Sequence, residues 1–125
     1  MKTDELLERD VESMAESLQK VVAGIGFEDE DDRDGEFDFG NEHDRLRWYF
    51  EDVLDVKFTI SADFEYLGAE VTLAWGGPNI YYNTAEGRVH GYWDGRAEYF
   101  VDHDTCHAID SYWEEEFNML RDCCR

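Results

Sequence analysis

The segment from Asp102 to His107 carries residue types that bind metals. His103 and His107 are four residues apart, with Cys106 between them. Side chains at that spacing share one helix face, so both imidazoles could contact one zinc ion. A structural zinc site needs four ligands, however, and the two remaining cysteines lie far along the chain. Asp102 or Asp104 is explained more simply as a helix N-cap, and we predict no metal site here.

An acidic segment between two predicted helices invites a calcium interpretation. Ten of the 17 residues from Glu28 to Asp44 are acidic. With Gly35 at the sixth position of an EF-hand loop, acidic residues fall at positions one, three and five: Glu30, Asp32 and Asp34. The first position should be Asp, and the twelfth, which supplies a bidentate carboxylate, is Asn41. We therefore interpret this segment as a solvated acidic loop.

Motifs of the common catalytic sites are missing from the sequence. It has no Gly-x-Ser-x-Gly, no His-Glu-x-x-His and no phosphate-binding Gly-Lys-Ser/Thr. Carboxylates are so numerous that no pair can be nominated for acid–base catalysis. We predict that the protein is not an enzyme and uses no cofactor.

Charge is the outstanding property of the composition. Thirty-two acidic residues against 11 basic ones give a net charge of −21. Self-repulsion at that density destabilises a compact chain unless salt or a cationic partner compensates. Six aromatic residues between 81 and 100 resemble a base-stacking platform, but only Arg88 and Arg96 accompany them there. Because such platforms need a positive groove, we expect no direct binding of nucleic acid.

Features of membrane and secreted proteins are also missing. No stretch approaches the ~20 apolar residues of a membrane span, and the first ten residues lack the apolar core of a signal peptide. The three cysteines, two of them adjacent, do not suggest a disulfide scaffold. We expect a protein of the bacterial host cytoplasm with no membrane partner.

Hydrophobic periodicity predicts an α+β fold in a single domain of residues 1–125. Apolar residues recur at helical spacing over 4–22, 43–54 and 103–121. The residues predicted to point inward are Leu6, Leu7, Val11, Met14, Leu18, Val21 and Val22 in the first helix, Leu46, Tyr49, Phe50, Val53 and Leu54 in the second, and Cys106, Ile109, Trp113, Phe117 and Leu120 in the third. Between the second and third helices the period changes to two, which predicts four or five antiparallel strands over 56–60, 70–75, 80–83, 88–93 and 96–101. We expect two N-terminal helices, this sheet and one C-terminal helix, with the helices on one face. Phe37 and Phe39 are predicted to anchor the acidic loop.

Two segments carry a resemblance to known proteins. Trp75-Gly-Gly-Pro-Asn-Ile-Tyr81 and Gly91-Tyr-Trp-Asp-Gly95 are similar to a small protein family of phages and bacterial mobile elements. In size and acidity the chain also resembles the DNA-mimicking inhibitors of such elements, the anti-CRISPR and antirestriction proteins. The resemblance implies an inhibitor that binds a CRISPR effector and blocks its target-DNA or PAM-binding surface. It assigns a role to no residue.

Two other functions remain open: an immunity protein that neutralises a basic nuclease toxin, and a salt-adapted acidic domain without mimicry. For an inhibitor, carboxylates in the loop and on the first helix are the candidate partner-binding residues, because such arrays can occupy Lys/Arg sites built for phosphates. The candidates are Asp29, Glu30, Asp31, Asp32, Asp34, Glu36, Asp38, Glu12 and Glu16. Effector type, oligomeric state and stoichiometry are left open.

Overall fold

A computed structural model describes residues 3–27, 37–51 and 53–123. The elements in chain order are α1 (Thr3–Ala23), α2 (Glu42–Tyr49), β1 (Asp55–Ile60), β2 (Tyr66–Ala74), β3 (Asn79–Asn83), β4 (Arg88–Tyr92), β5 (Arg96–Phe100) and α3 (His103–Cys123). The strands form one five-stranded antiparallel sheet in the order β1-β2-β3-β4-β5. The predicted α+β class and antiparallel sheet are therefore confirmed.

The helices pack on one face of this sheet. A row of paired strand residues, Val71, Tyr82 and Val89, is fully buried there. At Gly91, a Cβ atom would lie 2.8 Å from Val11 and 2.9 Å from Leu7, so only glycine lets α1 approach β4 this closely. The helix α3 packs on the same face, beside α1, where it contacts β2.

Four of the seven residues in the apolar stripe of α1 are buried as their spacing predicts, and Leu6, Met14 and Val22 are half-buried. Leu7, Val11, Leu18 and Val21 are at most 5% exposed, and Ala15 joins them between the predicted positions. Gly24 adopts a φ of +77°, the left-handed conformation that ends many helices. The helix therefore ends where the sequence predicts.

The prediction for α2 was wrong at its C-terminal end. The helix ends at Tyr49 rather than continuing to residue 54. The chain then turns, and the N–H of Leu54 donates to the carbonyl of Thr72 in β2. Leu54 is 59% exposed rather than buried. Leu46 and Phe50 are buried as expected.

The helix α3 has a different buried face from the predicted one at its C-terminal end. Ile109, Trp113 and Phe117 are buried as predicted, and Tyr112 joins them. Leu120 was also expected to point inward, but it is 56% exposed. The ring contacts between α3 and the sheet end at Phe117, which packs on Phe58 and Tyr66, so Leu120 lies past them.

Candidate functional site

The helices carry the excess negative charge. The helix α1 has six acidic and two basic residues, and α3 has six acidic and one basic. Glu5, Glu8, Glu12 and Glu16 follow one another at steps of three or four residues and are all exposed. Residues four apart on a helix rise about 6 Å, so these carboxylates form a row along α1. The two predicted residues of this helix therefore belong to a longer row.

A groove between α1 and β5, the edge strand of the sheet, lies beside this row. It has a volume of about 600 Å³ and is lined by Glu8 and Glu12 from the helix and by Arg96, Glu98 and Tyr99 from the strand. Among the described residues, no cation lies within ion-pairing distance of Glu8, Glu12 or Glu16. Sequence periodicity could not find Glu98, since it comes from a strand 82 residues after Glu16.

Several arginines are neutralised within the fold. Arg88 pairs with Glu86 and, at 2.8 Å, with Glu98. Arg121 lies 3.4 Å from Asp122, and Arg47 lies 3.9 Å from Asp44. These pairs use carboxylates outside α1, so none of them involves the acidic row on α1.

The acidic loop starts and ends at one aromatic cluster. Phe27 immediately precedes residues 28–36, and its ring lies 5.4 Å from the rings of both Phe39 and Trp48. Phe37 immediately follows the same residues and stacks on Phe39 at 6.0 Å. Phe37 and Phe39, which were predicted to anchor the loop, both belong to this ring cluster. Both ends of the segment are thus placed beside α2.

Arg45 ties these ends to α1. Its side chain is 8% exposed, and its guanidinium donates to the carbonyls of Val21 (2.7 Å), Val22 (2.9 Å) and Phe39 (2.9 Å). Carbonyls at a helix C-terminus lack partners within the helix and carry a partial negative charge, so a cation satisfies both needs. Arg45 therefore joins the end of α1 to Phe39, three residues after the segment 28–36.

Of the loop carboxylates predicted to bind a partner, only Asp38 is among the described residues. Its carboxylate accepts from the N–H of Gly40 at 3.0 Å, and its own N–H donates to Asp44 at 2.9 Å. Asp38 thus shapes the turn before α2, although it is exposed. The other predicted carboxylates of the loop lie outside the described residues: Asp29, Glu30, Asp31, Asp32, Asp34 and Glu36.

One residue from each metal-like pattern of the sequence caps a helix, whereas Glu30, Asp32 and Asp34 lie outside the described residues. Asn41 is the N-cap of α2 and accepts from the N–H of Asp44 at 3.0 Å. Asp102 accepts from the N–H of Thr105 at 2.7 Å at the start of α3, as an N-cap does. The thiol of Cys106 donates to the carbonyl of Thr84 at 3.4 Å. Within the described ranges, no three His, Cys, Asp or Glu residues are grouped to hold a metal ion.

Resolved pKa shifts are largest among tyrosines of the interior. Burial raises the pKa of Tyr112 to about 12, with a further contribution from the carboxylate of Glu116. Burial also raises the pKa of Tyr82 and of Tyr66, and the latter donates to Asp110 at 2.6 Å. These groups lie between the helices and the sheet. Their shifts follow from packing, and they identify no acid–base pair that faces solvent.

Comparison with known proteins gave no relatives. No protein family, no curated protein and no solved structure matches this chain. Within the described residues, no helix is long and apolar enough to cross a membrane. The described residues form an α+β fold whose exposed helix faces are strongly acidic.

Proposed function

We propose that the protein is an inhibitor that uses its acidic helix layer and loop to occupy the nucleic-acid-binding surface of a basic protein. The observation that carries this proposal is the row of exposed carboxylates on α1, which forms no ion pair with a described cation. Carboxylates about 6 Å apart on a rigid helix can contact successive Lys and Arg side chains that otherwise bind phosphates.

The charge distribution favours this use over simple solvation of the surface. A salt-adapted surface needs only scattered carboxylates, whereas here they concentrate on α1, on α3 and in the loop, while Arg88 and Arg96 pair with Glu86 and Glu98 of the sheet region. The electrostatic field of such a concentration of charge raises the association rate with a basic partner. The resemblance in size and acidity to anti-CRISPR proteins makes a CRISPR effector the first candidate target.

The proposal is tested with a panel of purified CRISPR effectors, restriction enzymes and basic nuclease toxins. Each is assayed for DNA binding or cleavage while the protein is added. We expect inhibition of at least one CRISPR effector at the DNA-binding step, with an affinity that falls steeply as salt rises. Inhibition of a nuclease toxin alone would favour the immunity protein, and no inhibition across the panel would contradict the proposal.

A pair of variants tests the role of α1. Glu12→Lys with Glu16→Lys should weaken binding to the inhibited target by about tenfold or more, because like charges then face each other. Glu51→Lys with Asp63→Lys makes the same change in net charge at exposed positions outside α1, and should reduce binding much less. Equal losses in both variants would show that only total charge matters.

A further inference from the structure

The face of the sheet opposite the helices differs from the rest of the acidic molecule. Strand register places on it three cations and three anions: Lys57, Arg88, Arg96, Asp55, Glu70 and Glu98. Their formal charges cancel in a chain whose net charge is −21. No described helix packs on this face, since α1 and α3 cover the other one.

Aromatic side chains occupy the centre and one edge of the same face. The rings of Tyr81, His90 and Tyr92 form a cluster with centroids 5.8 to 6.1 Å apart. At the edge, Phe100 is 63% exposed, with the guanidinium of Arg88 lying 5.6 Å from its ring centroid. Exposed aromatics beside arginines are the residue types enriched at protein interfaces.

We propose that this face binds a second copy of the chain in a symmetric dimer. Two copies with a net charge of −21 each repel one another unless they meet where the local charge is balanced. A two-fold axis brings the same patch together from both copies, so two faces of nearly zero net charge meet and the repulsion between the copies stays small. A basic partner, in contrast, gains little electrostatic attraction from such a face.

The area of the face sets the expected affinity of the dimer. Five strands at a spacing of about 4.8 Å, and five residues rising about 3.3 Å each, give roughly 400 Å² per copy. Two such faces bury on the order of 800 Å², below the ~1,200 Å² of stable interfaces. The dimer should therefore be weak and dependent on concentration. It leaves the acidic helices of both copies pointing outward, and it does not depend on the function proposed above.

Sedimentation velocity of the full chain over a concentration series tests the dimer. We expect reversible self-association in the micromolar to millimolar range. Arg96→Glu gives the face a net charge of −2 and should raise the dissociation constant at least about tenfold. Arg9→Glu makes the same change on the exposed face of α1 and should change it much less. Phe100→Ser, which removes apolar contact without changing charge, should also weaken the dimer.

Salt gives a second readout with a definite sign. Because added salt screens the repulsion between two acidic chains, it should strengthen the dimer, whereas it should weaken binding to a basic target. A monomer at all concentrations and salt levels would overturn the proposal. So would a dimer that is lost in Arg9→Glu but retained in Arg96→Glu. If Arg96→Glu instead abolishes binding to an inhibited target with no self-association in the parent protein, the face belongs to the target.

Discussion

The helix side and the open side of the sheet differ in their charge: the first is strongly acidic, and the second carries cations and anions in balance. On the helix side, α1 and α3 together carry 12 acidic and three basic residues, and the row on α1 lacks ion pairs among the described residues. On the open side of the sheet, Arg88 and Arg96 share the carboxylate of Glu98, at 2.8 and 3.1 Å. The difference shows that the negative charge is concentrated rather than spread. Concentration of this kind is what contact with an ordered set of cations requires.

The largest expected effect comes from reversing charges in the acidic loop. Asp31→Lys, Asp32→Lys and Asp34→Lys should together weaken binding to the target by at least about 100-fold, since interface carboxylates then become like charges. The melting temperature should stay unchanged or rise, because the substitutions relieve self-repulsion. Both quantities are measured on the same preparations, by titration calorimetry and thermal unfolding. Normal inhibition by this variant would place the interface elsewhere.

A smaller effect, on stability, is expected at the junction between α1 and the loop. Arg45→Met leaves three carbonyl oxygens without their charged donor and should lower the free energy of unfolding by roughly 3 kcal/mol. Urea denaturation measures this loss. Arg9→Met removes an exposed arginine from α1 and serves as the matched control, with an expected change within about 0.5 kcal/mol. A similar small change in Arg45→Met would show that the guanidinium does not stabilise the helix end.

The smallest effect concerns the side of the sheet that the helices cover. Burial raises the pKa of Tyr112 to about 12, above the ordinary value near 10, so the unfolded chain releases this proton first. Stability from this group is full below pH 10 and is lost as pH rises from about 10 to 12. Denaturant titrations at several alkaline pH values test this, and Tyr112→Phe should reduce the dependence. An unchanged slope in Tyr112→Phe would contradict it.

The sequence predicted the elements better than their ends. Periodicity identified α1, because a buried stripe on a long amphipathic helix is unambiguous. It overextended α2, since Val53 and Leu54 continue the helical spacing while the backbone of Leu54 pairs with Thr72 in β2. It also placed Leu120 inward, because periodicity does not report where the sheet beneath a helix ends.

For the candidate surface too, the sequence predicted residues within one helix but not contacts between distant elements. Spacing along one helix was enough to select Glu12 and Glu16. The groove that Glu12 shares with Glu98, and the role of Arg45 at the end of α1, depend on contacts between elements far apart in sequence. Composition likewise gave the total charge but could not show that the open face of the sheet is balanced.

Displacement of nucleic acid tests the central claim most directly. Labelled target DNA is bound to the effector that the panel identifies, and fluorescence anisotropy is followed while the unlabelled protein is added at low and at raised salt. We predict that the anisotropy falls to the value of free DNA, and that more protein is needed as the salt concentration rises. A ternary complex, in which the protein binds the effector while the DNA stays bound, would contradict occupation of the nucleic-acid site.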